Sequence, residues 1–510
     1  MFEPQESAPW YRSPLLKVAA VVLVAVVAVA ALLMTVGRRY LGGNDAHYSE
    51  LERHRAQQRQ QDAAQGAQAA PADAAAAAQQ AAAAAPSADP NAASAPQQPA
   101  PGAPAPPAAP QGGETSHATA PATPASRNYW TDFRGPARDG SYKERAIKVN
   151  WPSGGLTPVW KQPVGGGFSS FVVADGVAYT IEQRRRQEVV AAYRVSDGRE
   201  LWTNGWSGAF SDSTGDGPRT TPAWDAGRIY ALGAEGELRC LDAKTGRSIW
   251  NKNILADNGA DNLSWGVAAS PLVVDDKVVV MAGGSGGKSI VAYNKMTGAP
   301  AWRSQDDRAS YTSPMLVALA GRRQILAVTA TRILGLEPAD GKLIWSHPWP
   351  TSMGINVSQP IVVGPNRVFI SAGYGKGASL VELSSAGGAL SPRTVWENIN
   401  LKTKFNSPVY HNGHVYGLDE GILTCVHAET GERKWKGGRY GYGQVILASG
   451  HLIVTTDGGE IALVKADPSG FNEVAKFAAL EGKTWNVPAL AGGKLLVRNE
   501  TQMACYDLAE

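Results

Sequence analysis

A short motif recurs between residues 197 and 435 and constrains the fold of this 510-residue chain more than any other feature. In each copy an Asp or Thr is followed by Gly, and a Trp stands four residues after that Gly. Glycine supplies the positive φ that a tight hairpin turn needs, so each Trp is expected on the strand after such a turn. The copies end at Trp202, Trp250, Trp302, Trp345 and Trp435.

A second motif, a small polar residue followed by Pro and an apolar run, alternates with the first. It occurs at Thr221-Pro222, Ser270-Pro271, Ser313-Pro314, Gln359-Pro360 and Ser407-Pro408. Proline cannot donate a hydrogen bond within a sheet, so it is tolerated at the start of an edge strand. Each repeat of about 40–50 residues therefore holds four short strands, which is typical of a propeller blade.

The repeats predict an all-β fold, an eight-bladed β-propeller of four-stranded antiparallel blades over residues 128–510. The last repeat has only three strands, so we expect Thr157–Trp160 to supply its outer strand and close the ring. The predicted blades centre on residues 170–202, 219–250, 268–302, 311–345, 357–396, 405–435, 443–477 and 486–508.

The region before the repeats divides by composition. After a short tail (1–17), residues 18–36 form an uncharged apolar run whose helical length of about 28 Å just crosses a bilayer core. No A-x-A site follows it, which favours an uncleaved transmembrane signal anchor over a cleaved signal peptide. Lys and Arg flank the run on both sides and do not decide its orientation. Domain order suggests an exported propeller.

Two further segments separate this run from the repeats. Residues 37–62 are polar and predict a juxtamembrane helix, with Ser49 and Glu52 as a capping box. Residues 63–127 consist mostly of Ala, Pro and Gln and contain no Leu, Ile, Val, Met or aromatic residue. Such a segment cannot offset its ordering entropy by burial, which predicts a disordered linker. It is either a spacer that holds the propeller off the membrane or a tolerated insert.

Charge and cysteine content exclude several classes of protein. The net charge of +3 gives no electrostatic case for nucleic-acid binding. Three widely spaced cysteines exclude a disulfide scaffold and a C-x-x-C zinc site. Two of them, Cys240 and Cys425, fall in third strands and are expected to be small buried hydrophobic residues.

The segment Ala243–Trp250 (A-x-T-G-x-x-x-W) resembles the blade motif of the pyrroloquinoline-quinone-like, or quinoprotein alcohol dehydrogenase-like, eight-bladed propellers. Tyr129–Pro136, with Asp139-Gly140, is similar to the W-x-x-F-R-G-P…D-G lead-in of such proteins. The resemblance covers residues 128–508 and implies the fold. The family includes quinone-dependent dehydrogenases and non-enzymatic relatives, such as the lipoprotein subunit of the outer-membrane barrel-assembly machine. This chain resembles the non-enzymatic branch.

The resemblance also implies what an enzyme of the family would carry. These features are an adjacent Cys-Cys pair, Glu, Asn and Asp ligands for Ca²⁺ with an Asp base, and a Trp that stacks on the quinone. This chain has no Cys-Cys pair, and no positions match the family's catalytic residues. We therefore predict no catalytic residue and no cofactor. Pyrroloquinoline quinone (PQQ) and Ca²⁺ belong only to the alternative that the chain is a quinoprotein oxidoreductase.

One loop could supply metal ligands. Asp212, Thr214 and Asp216, followed by Gly217, match the first positions of a calcium-binding loop. Position twelve would be Ala223, so the bidentate Glu is absent. A solvated Asp/Gly turn is the favoured interpretation, with calcium binding as the alternative.

The residues just before each innermost strand should ring one mouth of the channel. Aromatic rings with a few polar side chains suit a peptide or small ligand, whereas packing between blade tops is the alternative. The predicted rim residues are Phe168, Arg219, Trp265, Tyr311, Asn356, Lys404, Phe405, Tyr442, Trp485 and Asn486.

These features favour a membrane-anchored cell-envelope propeller that binds envelope proteins or peptides without catalysis. We expect a single pass through the inner (cytoplasmic) membrane at residues 18–36, the propeller in the periplasm or outside the cell, and no nucleic-acid partner. A quinoprotein oxidoreductase and a ligand-sensing ectodomain are the alternatives.

Overall fold

A computed structural model describes residues 45–64 and 129–510. Within them, eight antiparallel sheets follow one another along the chain, as the repeat predicts. Blade 1 contains Val172–Ala174, Val177–Arg184, Gln187–Arg194 and Glu200–Ser207. Blade 2 contains Ala223–Asp225, Arg228–Leu232, Glu237–Asp242 and Ser248–Asn253. Blade 3 contains Leu272–Val274, Lys277–Gly284, Lys288–Asn294 and Pro300–Ser304. Blade 4 contains Met315–Leu319, Arg322–Val328, Arg332–Leu336 and Leu343–Pro348.

The second half of the ring repeats this order from inner to outer strand. Blade 5 contains Ile361–Val363, Arg367–Ala372, Gly377–Ala386 and Ala389–Asn398. Blade 6 contains Val409–His411, His414–Asp419, Ile422–His427 and Arg433–Arg439. Blade 7 contains Gln444–Ala448, His451–Thr455, Glu460–Lys465 and Glu473–Ala478. Blade 8 contains Ala489–Ala491, Lys494–Arg498 and Gln502–Asp507.

The eighth blade is completed by a strand from upstream of the first blade, as predicted. Pro158–Pro163 pairs antiparallel with Gln502–Asp507, and Trp160 lies opposite Cys505. Blade 7 departs from the four-strand prediction, because Ser141–Tyr142 adds a fifth strand parallel to its inner strand. In blade 8, the pairing of Pro158–Pro163 with Gln502–Asp507 joins the two ends of the propeller domain in one sheet.

Each blade packs against both neighbours, and this explains the continuous apolar runs in the middle strands. In blade 3, Val278 and Val280 lie in a buried cluster with Tyr230 of blade 2. The alternate residues Val279 and Met281 lie in the cluster shared with blade 4. Successive side chains of a strand point to opposite faces, so both registers must be apolar when both faces are covered.

The small polar residue before each Pro joins neighbouring blades. The backbone N–H of Ser170 donates to Thr221 Oγ1 at 2.9 Å, that of Thr221 to Ser270 Oγ at 2.8 Å, and that of Ser270 to Ser313 Oγ at 2.8 Å. The relay continues to Gln359 Oε1 and from there to Ser407 Oγ. The second motif therefore supplies an acceptor for a buried N–H of the preceding blade.

The outer Trp residues also connect blades. Trp250 Nε1 donates to the carbonyl of Lys295 in blade 3 at 3.1 Å, and Gly298 of that blade lies against the Trp250 ring. A Cβ on Gly298 would lie 2.8 Å from a ring carbon, so the glycine provides close approach as well as its φ of +71°. Trp345 is the exception: it donates within its own blade, to Gln324 Oε1 at 2.6 Å.

The described residues form two helices, one long and one short. Helix α1 covers residues 45–64, and helix α2 covers Ile254–Asn258. A 3₁₀ turn spans Ser352–Gly354, and a small hairpin pairs Ser211–Asp212 with Gly215–Asp216. The capping-box prediction is wrong, because α1 is already helical at residue 45 and Ser49 Oγ donates to the Asp45 carbonyl.

Of the described residues, 45–54 and 129–510 belong to one compact unit. No helix within residues 45–64 and 129–510 combines the length and the apolar character needed to cross a membrane. The predicted span at 18–36 lies outside these residues, as do the tail 1–17 and nearly all of the linker 63–127.

Candidate binding site at the channel mouth

A cavity of about 210 Å³ opens where the loops before the innermost strands meet. The structure brings six of the predicted rim residues into its wall. They are Phe168, Arg219, Trp265, Tyr311, Phe405 and Trp485. Tyr442 and Lys404 lie directly behind this wall, against Phe405. The term aromatic mouth is used below for Phe168, Trp265, Tyr311, Phe405, Tyr442 and Trp485.

Trp485 is the centre of the aromatic mouth. Its ring stacks on Phe168, with centroids 5.7 Å apart and an interplanar angle of 23°, and on Phe405, at 5.2 Å and 22°. Tyr442 meets both Phe405 and Trp485 edge to face. Such offset and T-shaped pairs are the geometries that aromatic quadrupoles favour. All four rings remain partly exposed, so they form a preorganised apolar surface at the channel opening.

Buried amides hold these rings in place. Asn486 Nδ2 donates to the carbonyls of Gly167 at 3.0 Å and Ser169 at 2.9 Å, which flank Phe168. Gln444 Nε2 donates to the carbonyls of Phe405 at 2.9 Å and Trp485 at 3.0 Å. The two amides thus tie the loops of blades 6, 8 and 1 together and fix the stacked rings.

Two predicted rim residues, Asn356 and Asn486, do not present their side chains to the cavity. Each is only 2% exposed. Asn356 Nδ2 donates to the carbonyl of Thr329, and the Asn356 carbonyl accepts from Tyr311 N–H. Sequence position placed both residues at blade tops correctly, but their short amides reach neighbouring carbonyls and are buried there. They are positioning residues.

Cations lie over the faces of the aromatic rings. Lys404 Nζ is 4.9 Å from the ring centres of Tyr374 and Tyr442 and 5.2 Å from Phe405. Lys483 Nζ lies 5.1 Å from Phe168 and 5.2 Å from Trp485. Within about 6 Å of a ring centre, a cation is attracted to the aromatic face.

The three cations of this region differ in their charge partners. Lys483 pairs with Glu500 at 3.0 Å, and Arg219 pairs with Asp212 at 2.8 Å. Lys404 has only the Tyr442 hydroxyl, at 3.3 Å, and among the described residues no carboxylate lies within ion-pair distance of it. The cavity wall itself contains no Asp or Glu. The mouth therefore offers apolar rings and one cation without an anionic partner.

The lead-in segment, residues 129–142, lies at the inner strands beneath the mouth and is called the plug below; its Phe133 reaches the cavity. Arg138 is 1% exposed and donates to the carbonyls of Ser270, Pro271 and Pro314 while pairing with Asp132 at 2.9 Å.

A second guanidinium of the lead-in segment binds the other side of the channel. Arg134 donates to the carbonyls of Val445 at 3.1 Å and Pro408 at 2.9 Å. Burial lowers the pKa of Arg134 to about 10. Sequence reasoning missed both plug residues, although two arginines placed before the first blade were a visible signal.

The candidate calcium loop uses its carboxylate internally. Asp212 Oδ1 accepts from Thr214 N–H at 2.6 Å and from Thr214 Oγ1, and Asp212 Oδ2 accepts from Arg219. Burial raises the pKa of Asp212, but bonds from Thr214 and Arg219 outweigh it and leave that pKa below its usual value. Asp216 accepts from Ser211 Oγ at 2.6 Å. These contacts describe a turn locked by an arginine.

The donor set does not fit a calcium-bound quinone. Within residues 45–64 and 129–510, no group of three or more His, Cys, Asp or Glu residues could hold a metal ion. Cys240, Cys425 and Cys505 are buried one each in the third strands of three different blades. Burial raises the pKa values of Cys425 and Cys505 to about 12.

Comparison with known proteins agrees with the repeat analysis. Residues 185–437 match a family model described as "Outer membrane protein assembly factor BamB". Over residues 185–437 the chain is therefore similar to the pyrroloquinoline-quinone-like propeller-repeat family. The resemblance inferred from the repeats is confirmed.

Relatives within this family carry two kinds of name. The chain is 26% identical over 285 residues to the outer membrane protein assembly factor BamB of Yersinia pestis, covering 52% of this chain and 68% of that protein. It is 32% identical over 142 residues to the quinohemoprotein alcohol dehydrogenase ADH-IIG of Pseudomonas putida, covering 26% of this chain. The match spans only 18% of that enzyme's length.

A solved structure shares the fold. The quinohemoprotein alcohol dehydrogenase of Comamonas testosteroni has a TM-score of 0.53 and 13% identity, covering 75% of this chain and 81% of that one. At this identity the likeness concerns the propeller architecture alone.

Proposed function

We propose that the chain is a non-catalytic propeller scaffold of the cell envelope that binds a protein or peptide partner at its aromatic mouth. Attachment to the inner membrane by residues 18–36 and exposure of the propeller in the periplasm or outside the cell are part of this proposal. The observation that carries it is the mouth itself: stacked, half-exposed rings over a plugged channel, with no carboxylate in the wall.

The charge pattern specifies the chemistry of the partner. Partly exposed Trp and Tyr rings are typical anchors of protein interfaces, because they combine large contact area with few rotatable bonds. Lys404 adds a positive charge that lies over aromatic rings and pairs with no carboxylate of the described residues. A segment that carries both aromatic or aliphatic side chains and Asp or Glu would complement this surface.

The relatives support the scaffold over the enzyme. The assembly factor of Yersinia pestis is matched over 68% of its length, whereas the dehydrogenase of Pseudomonas putida is matched over 18%. The residues that surround the cavity also lack the acidic donors that calcium requires.

Labelled peptides test the proposal directly. Fluorescence anisotropy would compare a peptide of alternating Phe and Asp with one of alternating Phe and Lys, using the full chain in detergent. We expect the acidic peptide to bind at least tenfold more tightly, and Lys404→Glu to weaken it about tenfold. Lys288→Glu is the matched control, because Lys288 is exposed on blade 3 and none of the described residues forms an ion pair with it. Equal binding of both peptides would contradict the proposed partner chemistry.

Catalysis needs a separate assay. Dye-linked alcohol oxidation is measured after addition of PQQ and Ca²⁺, and no turnover is expected. Turnover that survives removal of unbound quinone would overturn the non-catalytic assignment.

A further inference from the structure

The N-terminal part of α1 packs on the propeller. Leu51 is 1% exposed and Tyr48 6% exposed, although both stand on a helix that precedes the lead-in segment by many residues. The Tyr48 hydroxyl lies against Gly166, and its side chain lies close to Gln183 of blade 1. Burial raises the pKa of Tyr48 to about 12. A polar helix with two buried apolar anchors is docked, and it is not a free juxtamembrane rod.

Polar contacts fix the same helix across the closure of the ring. His47 Nε2 donates to the Val164 carbonyl at 2.8 Å, and His54 Nε2 contacts Gln162 Oε1 at 3.1 Å. Gln162 belongs to the strand that completes blade 8, and Val164 follows that strand directly.

The other side of the helix contacts blade 1. Arg185, in the turn between two strands of that blade, donates to Glu52 at 2.7 Å and to Asp45 at 3.3 Å. The helix therefore bridges blades 8 and 1 at the point where the ends of the propeller domain meet.

The docked residues lie on the same face as the aromatic mouth. His47 and Tyr48 share a cavity of about 290 Å³ with Thr214 and Lys483. Thr214 also lines the mouth cavity, and Lys483 lies over Phe168 and Trp485. The docked helix is thus a neighbour of the mouth.

Chain length then limits how far this face can be from the predicted membrane span. Residues 37–44 separate the end of the span from the docked helix, and even fully extended they reach at most about 30 Å. A propeller tethered instead through all of residues 37–128 would wander over an r.m.s. distance of about 50 Å. Docking upstream of the Ala/Pro/Gln segment removes that segment from the connection to the membrane.

We propose that residues 45–54 are a clamp that holds the mouth-bearing face of the propeller towards the membrane, within about 30 Å of it. Only residues 37–44 then connect the predicted span to the docked helix, because residues 55–128 follow that helix in the chain. The membrane part of this inference rests on the proposed anchor at residues 18–36. A partner of the mouth is accordingly a protein segment at the membrane surface.

Amide hydrogen exchange of the full chain in detergent tests the clamp without reference to a bilayer. We expect slow exchange at residues 48–54, and at least tenfold faster exchange after Leu51→Ser combined with Tyr48→Ser. Glu50→Ser is the matched control, since Glu50 is exposed on the same helix. Arg185→Glu should speed exchange, and adding Glu52→Arg should restore protection. Fast exchange in the unmodified chain would overturn the clamp.

Energy transfer to a lipid dye tests the orientation in reconstituted vesicles. The native cysteines are buried, so single labels at Glu481→Cys, beside the mouth, and at Asp276→Cys, on the far face, are selective. We expect the label at 481 to lie nearer the bilayer by about 15 Å, the length of an inner strand. The Leu51→Ser/Tyr48→Ser variant should abolish this difference.

The outcomes separate the two proposals. Equal distances for the two labels, or a difference that the clamp variant leaves unchanged, would overturn the clamp's orienting role even if the anchor is correct. A chain that fails to float with vesicles while its helix amides stay protected would instead refute the proposed anchor, and with it the orientation. Circular dichroism confirms that each variant keeps the propeller folded.

Discussion

The lead-in segment and the aromatic mouth both lie at the inner strands of the blades, but they differ in exposure. The first makes buried hydrogen bonds, and the second presents side chains to solvent. Beneath the mouth, Arg134 and Arg138 bind inner-strand and adjacent carbonyls of blades 3, 4, 6 and 7. At the mouth, partly exposed rings line the opening, and Lys404 lies against Phe405 behind them. Exposed strand edges invite pairing with other chains. The two arginines of the plug donate hydrogen bonds to carbonyls at these edges. The surface proposed for recognition is therefore formed by side chains and not by free backbone groups.

This contrast teaches where stability and binding reside. The plug contacts are buried hydrogen bonds and a buried ion pair, so losing one should lower the free energy of unfolding. Mouth contacts are partly solvated, so losing one should change recognition more than folding. Four substitutions, ordered by expected effect on stability, would break or sharpen that distinction.

Arg138→Ala should have the largest effect. It removes donors to three buried carbonyls and leaves Asp132 without its partner, which costs about 3–5 kcal/mol when a buried charge pair is broken. Urea unfolding measures the loss. Arg194→Ala, on an exposed pair with Asp197, should change stability by less than about 1 kcal/mol. Similar losses for both variants would contradict a structural plug.

Gln444→Ala should destabilise by about 1–3 kcal/mol, because it removes two hydrogen bonds worth about 0.5–1.5 kcal/mol each. The near-ultraviolet circular dichroism should also change as the stack of Phe405 and Trp485 loosens. Gln187→Ala, on an exposed strand position of blade 1, serves as the control. An unchanged near-ultraviolet spectrum would show that Gln444 does not position the rings.

Trp485→Ala should affect binding more than stability. Arg138→Ala and Gln444→Ala should do the reverse. Its ring is half exposed, so we expect about 1–2 kcal/mol from lost aromatic contacts. Binding of the Phe/Asp peptide should fall at least tenfold. Stability by urea and affinity by anisotropy are measured on the same samples, and a loss of stability without a loss of affinity would reverse the assignment.

Glu500→Gln should have the smallest effect and appear only as a pH dependence. Burial raises the pKa of Glu500, with Lys483 opposing that shift. Between the ordinary carboxyl pKa and this raised value, the folded state binds more protons than the unfolded state, so stability falls as pH rises through that window. Urea midpoints measured across weakly acidic pH should show this slope, and Glu500→Gln should reduce it. An identical slope in both proteins would argue against a raised pKa.

The sequence predicts the propeller because each repeat indicates the same four-stranded unit. Turn glycines, edge prolines and outer Trp residues each have a local cause, and eight sheets with a borrowed strand follow from them. Trp345 shows the limit of such reasoning. Its motif is normal, but no ring packs on the Gly387-Gly388 turn of blade 5, and the Trp345 indole bonds Gln324 instead.

The candidate site was predictable by position and not by burial. Residues before the inner strands do gather at the mouth, but whether a side chain faces the opening depends on partners distant in sequence. Asn486 turns inward because carbonyls of blade 1 are within reach, 317 and 319 residues away in the chain. The docking of α1 escaped prediction for the same reason, since composition does not reveal that a polar helix meets a distant blade.

The position of α1 has a mechanical consequence. A force applied through residues 37–44 would load the docked helix before it loads the propeller. The docked residues 45–54 are held by a few side-chain contacts, whereas the strand Pro158–Pro163 is held by a ladder of backbone hydrogen bonds to blade 8. Under such a force, the helix would therefore detach before the strand that closes the ring is loaded.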